Sequence, residues 1–184
     1  RSNILSRLEK YGVKIDSSNP KVQKILDEVK DREFSGYSYD GADASFELLA
    51  NRLLGKLPEY LKVKSYNVSV SKSEKILTKA NVVFLIDGKE ISCDGEGNGP
   101  VNALDNAIRS NFKKVEKYYN FFADLKLLDY KVRILNTGTE AVTRVSIEST
   151  DSQGKNWFTI GVSTNIIDAS FKALIDSLDY KLFK

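Results

Sequence analysis

The residues whose types and spacing could do chemistry are gathered in one stretch, Gly95–Ile108, which reads G-E-G-N-G-P-V-N-A-L-D-N-A-I. Three glycines in five positions strip the backbone of side chains, and Pro100 stands where a helix would begin. Proline suits that position because its missing N–H would have no partner there and its φ is already helical. Val101, Leu104, Ile108, Phe112 and Val115 follow at helical spacing, so one face of the helix is apolar. A bare loop feeding a helix N-terminus offers free N–H groups to a carboxylate or phosphate. The chemistry this predicts is binding rather than bond-making. With no histidine and one cysteine, Cys93, the chain lacks the usual bases, nucleophile partners and zinc ligands. Carboxylate-only catalysis would need a pair of acids, and none stands out. This chain by itself is not expected to be a catalyst.

Three readings of Gly95, Gly97 and Gly99 compete. They could serve a tight turn needing positive φ. They could form a nucleotide loop, although the Lys-Ser/Thr of a phosphate-binding loop and the parallel βαβ setting of a dinucleotide fold are both missing. They could cradle a small carboxylate-bearing ligand. Asp94, Glu96 and Asp105 read as solvated charges and a first-turn acid favoured by the helix dipole rather than as hard-metal ligands. Cys93 reads as a small hydrophobe near a strand end. Tyr66 and Tyr130 could wall a pocket or pack with a wet hydroxyl. Tyr118–Phe122 reads as an aromatic stacking platform or, at the end of an amphipathic helix, as buried or subunit-interface contacts, and Trp157 with Phe158, opening a strand, reads as core.

The elements that must position these residues are legible in the spacing. Ser2–Tyr11 is a short amphipathic segment ended by Gly12. Pro20 opens a helix to about Phe34 with Val22, Ile25, Leu26 and Val29 as its stripe, and Ala42–Leu54 is a third helix closed by Gly55. From Tyr60 the period changes to two. Val63–Val70, Ala80–Ile86 and Lys89–Cys93 read as strands, the last two joined by the hairpin signal Asp87-Gly88. The pattern then starts again, with strands Leu125–Leu135, Val142–Glu148 and Trp157–Val162 and a helix Ile166–Leu178. Leu61–Val70 aligns with Leu125–Ile134. Gly95 falls on Gly161, and Ala103 and Ala107 fall on Ala169 and Ala173. The expected architecture is α+β, a short helical connector over 1–57 followed by two pseudo-repeated βββα units over 58–184, about 60–120 and 124–184.

Composition sets broad bounds. A net charge of +3 with scattered lysines argues against a dedicated nucleic-acid binder. No apolar run is long enough to span a membrane, and no signal-peptide pattern opens the chain. A lone cysteine fits a cytoplasmic protein.

At Gly97–Ile108 the sequence resembles the signature loop of the C-terminal regulatory domain of the 2-isopropylmalate synthase and citramalate synthase family. D-Y-K-V-R-I-L (Asp129–Leu135), A-V-T-R-V (Ala141–Val145) and G-V-S-x-N-I-I-D-A-S (Gly161–Ser170) resemble its second half. R-S-N-I-L (Arg1–Leu5) and G-A-D-A-S-F-E-L-L (Gly41–Leu49) are similar to the connector in the citramalate synthase branch. The resemblance implies two βββα units paired across a homodimer, and feedback inhibition by isoleucine, or by leucine in the isopropylmalate branch. It implies an effector loop of Gly97, Asn98, Gly99, Pro100, Val101 and Asn102, with Ser163, Asn165 and Ile166 contributing to the same or a related pocket. It also implies a parent enzyme whose separate catalytic barrel holds a divalent metal and condenses acetyl-CoA with a 2-oxo acid, while no cofactor is expected in this part. Two rivals are a nucleic-acid-binding module and a dimerisation scaffold that binds no effector.

Overall fold

A computed structural model describes residues 2–112, 114–135 and 141–184. Three helices come first: α1 (Ser2–Lys10), α2 (Pro20–Phe34) and α3 (Asp43–Leu54). Each has the start or stop its sequence promised. The Asn19 side chain caps α2 by accepting from the Lys21 N–H at 3.0 Å, and Gly55, at φ 72°, closes α3 in the left-handed conformation. Strands β1 (Lys62–Lys72), β2 (Ile76–Ile86) and β3 (Lys89–Gly97) make one antiparallel sheet in that order. They are followed by α4 (Pro100–Phe112) and α5 (Glu116–Phe122). Strands β4 (Lys126–Ile134), β5 (Thr143–Thr150) and β6 (Asn156–Ser163) make a second sheet, again in chain order, and α6 (Ile166–Phe183) ends the chain. The architecture is α+β with two βββα units after a helical segment. Among the described residues no helix is long and apolar enough to cross a membrane.

The chain divides into two compact units. One joins 1–58 with 129–148 and 157–183. The other joins 59–128 with 149–156 and the terminal Lys184. In the first, Leu8, Ile25, Val29, Tyr39, Phe46 and Leu49 of the helical segment bury themselves together with Ile160 of β6. Short helices are marginal alone and take their stability from such packing. In the second, α4 lies over β3 and β2, and only its margin reaches β1. Val82, Phe84 and Cys93 meet Ala103, Leu104, Ala107, Ile108 and Phe112 there, all within 1 % of complete burial. The β2–β3 turn is the expected Asp87-Gly88 pair, with φ of 50° and 78° and Ile86 opposite Lys89. Two successive positive φ values are what the hairpin's twist demands.

Several features differ from expectation: β2 begins at Ile76 rather than Ala80, and α6 runs on to Phe183 rather than ending at Leu178. β3 does not stop at Cys93 but runs through Gly95 and Gly97, shrinking the bare loop to Asn98 and Gly99. The helix ends at Phe112, so Val115, expected on its stripe, instead precedes the separate α5. Phe158, expected in the interior beside Trp157, is 42 % exposed, because alternation in β6 sends neighbours to opposite faces. Of the segments that carry the resemblance, Arg1 lies outside the described residues.

Candidate functional site

The glycines of β3 answer a packing need. A Cβ on Gly97 would lie 2.5 Å from Ala103 N, and one on Gly95 would lie 2.5 Å from Ala107 Cα and 2.9 Å from its Cβ. Neither glycine nor Gly99 has positive φ, so the tight-turn reading fails. Gly95 and Gly97 let α4 settle directly on the strand. The second unit repeats the device at the aligned position: a Cβ on Gly161 would come within 2.8 Å of Ala173 N and closer still to Ala169 O. Gly99 differs from these three, since a Cβ there would meet nothing within 4 Å.

Asparagines of α4 hold it to the end of β3. Asn111 donates from Nδ2 to Asp94 O at 3.0 Å, and Asn106 donates to Glu96 O at 2.9 Å. Asn102 Oδ1 accepts from the Asn98 backbone N–H at 3.1 Å. Two carbonyls of β3 and the Asn98 N–H just after the strand are thereby given partners. The helix itself begins at the Ala103 N–H to Gly99 O bond of 2.9 Å, which makes Gly99 the N-cap residue. A glycine cap brings no side-chain acceptor, and Pro100 has no N–H to offer. The donors of the first turn are therefore the Val101 and Asn102 N–H groups, beside a half-buried Val101 side chain.

At α6 the same end is closed. Asn165 Oδ1 accepts from the Ile167 N–H at 2.8 Å and from the Asp168 N–H at 3.2 Å. Ser163 Oγ accepts from the Asn165 N–H at 3.2 Å. Of the three residues expected in this second loop, Ser163 and Asn165 are thus engaged in holding it, and Ile166 stands 48 % exposed at the helix start. The two loops are aligned in sequence but opposite in state, one open and the other filled by its own asparagine.

The remaining candidates are engaged elsewhere. Asp105 accepts from Arg109 Nε at 2.8 Å, an i,i+4 pair rather than a metal ligand. Asp94 accepts from Asn81 Nδ2 at 2.8 Å on the sheet face away from α4. Among the described residues no cluster of His, Cys, Asp and Glu could hold a metal ion. Burial, with Asp94 adding repulsion, pushes the Cys93 thiol up to about 11. Tyr130 is half-buried and its hydroxyl shares a 2.8 Å hydrogen bond with Ser170 Oγ. A concavity of about 140 Å³ at the α4–α5 corner is lined by Arg109, Phe112, Tyr119, Phe122 and Ala123. Its one cation is already committed to Asp105 and to the Leu125 carbonyl. Asn102 and Asn106 share one side of α4 while Asn111 lies about half a turn round it, so the three asparagines carried no common periodic signal.

Comparison with known proteins adds a family. The model of the LeuA allosteric (dimerisation) domain matches residues 40–182. A protein of Geobacter sulfurreducens named (R)-citramalate synthase is 46 % identical over all of this chain and 35 % of its own length. One of Aquifex aeolicus with the same name is 42 % identical over the same shares. A 2-isopropylmalate synthase of Clostridium acetobutylicum is 36 % identical over 75 % of this chain and 22 % of its own length. The chain spans about a third of the length of the curated citramalate synthases it matches.

Proposed function

Because this chain belongs to the LeuA allosteric (dimerisation) domain family, we propose that its α4 loop binds a branched-chain amino acid, isoleucine, as the feedback inhibitor of a citramalate synthase. The observation that carries the reading is the open N-terminus of α4. Val101 and Asn102 can give their N–H groups to the amino acid's carboxylate at the positive end of the helix dipole. Gly97 brings the strand close, Asn98 and Asn102 hold the turn, Gly99 leaves room, and Pro100 with Val101 offers apolar surface to the side chain. Ser163, Asn165 and Ile166 form the related loop of the second unit, where Ile166 provides an exposed aliphatic group and the helix end is already capped. Leucine sensing, as in an isopropylmalate synthase, is the second reading, favoured by the Clostridium acetobutylicum relative.

The regulated activity belongs to a longer protein. We take residues 1–57 as its connector and 58–184 as its regulatory part. The parent is then a cytoplasmic acetyl-CoA-dependent 2-oxo acid acyltransferase with its own metal-bearing barrel. Effector binding acts as a coupling free energy, typically about 1–3 kcal/mol, between the loop and that barrel. Pairing as a homodimer is supported by apolar rows that the helices leave open. On the α4 side of β1, Tyr66 and Val68 are half-buried and Val70 is 58 % exposed, while Val132 and Ile134 stand exposed in line with Tyr130 on β4.

The test is a series of thermal melts with isoleucine, leucine and valine. A ligand at a hundred times its Kd adds about 2.7 kcal/mol. A shift with isoleucine alone supports the reading, and one with leucine alone moves the chain to the other branch. No shift with any of the three would leave a dimerisation scaffold.

A further inference from the structure

The face where α3 meets α6 carries a polar bridge that the effector reading does not use. Ser45, 3 % exposed in the first turn of α3, donates from Oγ to Asp176 Oδ2 of α6 at 2.8 Å. The same Oγ accepts from the Ile160 backbone N–H at 2.9 Å. Ile160 lies on β6, an edge strand of its sheet, so this N–H points out of the ladder and needs a partner from outside. One hydroxyl thus joins a helix, a second helix and a strand edge.

The carboxylate at the end of the bridge is poorly compensated. Among the described residues no lysine or arginine lies within 4.0 Å of Asp176. Arg52 of α3 is turned to Asp179, 3.8 Å away, and Arg32 of α2 is bound to Glu28 at 2.7 Å. Tyr39, the other titratable group facing this region, is 1 % exposed. Asp176 as a residue is only partly buried, but its oxygen ends against the enclosed Ser45. A carboxylate whose one direct partner among the described residues is an enclosed hydroxyl, with no cation beside it, is a costly arrangement, and such groups are best attested as register or switch devices.

We infer that Ser45, Asp176 and the Ile160 amide form a proton-responsive latch that fastens α3 to α6 and to the edge of β6, and that the packing it joins is more stable once the carboxyl is neutral. Burial outweighs the lowering by Ser45, Arg52 and Arg32 and pushes Asp176 up to about 6. The sign follows from proton linkage. A carboxyl whose folded value is raised costs stability above that value, and the cost disappears as pH falls toward the ordinary range near 4. The chain has no histidine, the side chain that would normally titrate in this window. The latch stands whether or not the α4 loop binds an amino acid.

The experiment is an NMR titration of the full chain between pH 4 and 8, following the Asp176 carboxyl carbon and the Ile160 amide proton. Both should move with a common midpoint near 6. In Ser45→Ala the carboxyl should still titrate while the Ile160 amide no longer follows it. Asp176→Asn should melt higher than wild type at pH 8, and that difference should shrink through pH 6 and vanish near pH 4. A carboxyl midpoint near 4, an unresponsive Ile160 amide in wild type, or the same melting difference at pH 8 and pH 4 would overturn the inference. The wild-type titration decides the question even if a variant fails to fold.

Discussion

Asn102 Oδ1 accepts the Asn98 backbone N–H at 3.1 Å, so the third residue of α4 reaches back to fix the turn that precedes its own helix. This is a one-residue-shifted version of the back-reaching half of a capping box, since the N–H it takes belongs to Asn98, just before the cap. The other half, a side chain at the cap itself, is missing because the cap is Gly99. The turn is therefore held in place while the helix end stays open.

Filling that cap separates stability from binding. Gly99→Asp adds an acceptor for the first-turn N–H groups in a spot with room for it. Stability should rise by a few tenths of a kcal/mol, the usual margin between glycine and a side-chain cap. The new carboxylate occupies and repels at the place proposed for the effector's carboxylate, so isoleucine affinity should fall at least about tenfold, or about 1.4 kcal/mol. Urea unfolding and calorimetric titration of the same sample check both. A destabilised variant, or one that binds as wild type does, would place the effector elsewhere.

Asn165→Ala tests the closed end of α6. Removing an asparagine cap costs about 0.5–2 kcal/mol. Urea denaturation should show a lowered midpoint with an unchanged slope.

The glycines under the helices predict a contrast. Gly95→Ala and Gly161→Ala force α4 and α6 off their strands and should destabilise by about 1–3 kcal/mol or more, the range for overpacking. Gly12→Ala and Gly154→Ala meet no atom but sit at φ 73°. They should cost about 1–2 kcal/mol, through backbone strain alone. Thermal melts compared at one pH rank the four.

Cys93 is fully buried, and its raised pKa keeps it a thiol at neutral pH. The thiolate is the reactive form. Labelling by a thiol reagent at pH 8 should be far slower than in urea, and should speed up only with global unfolding. Fast labelling of the folded chain would contradict the packing of α4 on β3.

Much of this was readable from the residues. The period-two runs, the Asp87-Gly88 turn, the Pro100 start and the repeat of Gly95 and Ala107 at Gly161 and Ala173 each follow from local rules. Harder to see was what the glycines face. G-E-G-N-G looks like a loop because glycine is rare in strands, yet Gly95 and Gly97 belong to β3, where the missing side chains admit a helix. Nor could spacing show that Ile160 joins the core of the helical segment, since alternation tells which residues share a face but not what covers it. The bridge from Ser45 to Asp176 was equally hidden, because two polar residues far apart in sequence carry no periodic signal.

The most direct test of the central claim is a two-dimensional amide NMR titration of this chain with isoleucine. If the α4 N-terminus receives the amino acid's carboxylate, the Val101 and Asn102 amide protons should move downfield and saturate, while the Ile167 and Asp168 amides, already capped by Asn165, move least. Saturable shifts confined to other residues, or none at Val101 and Asn102 under saturating isoleucine, would contradict the assignment.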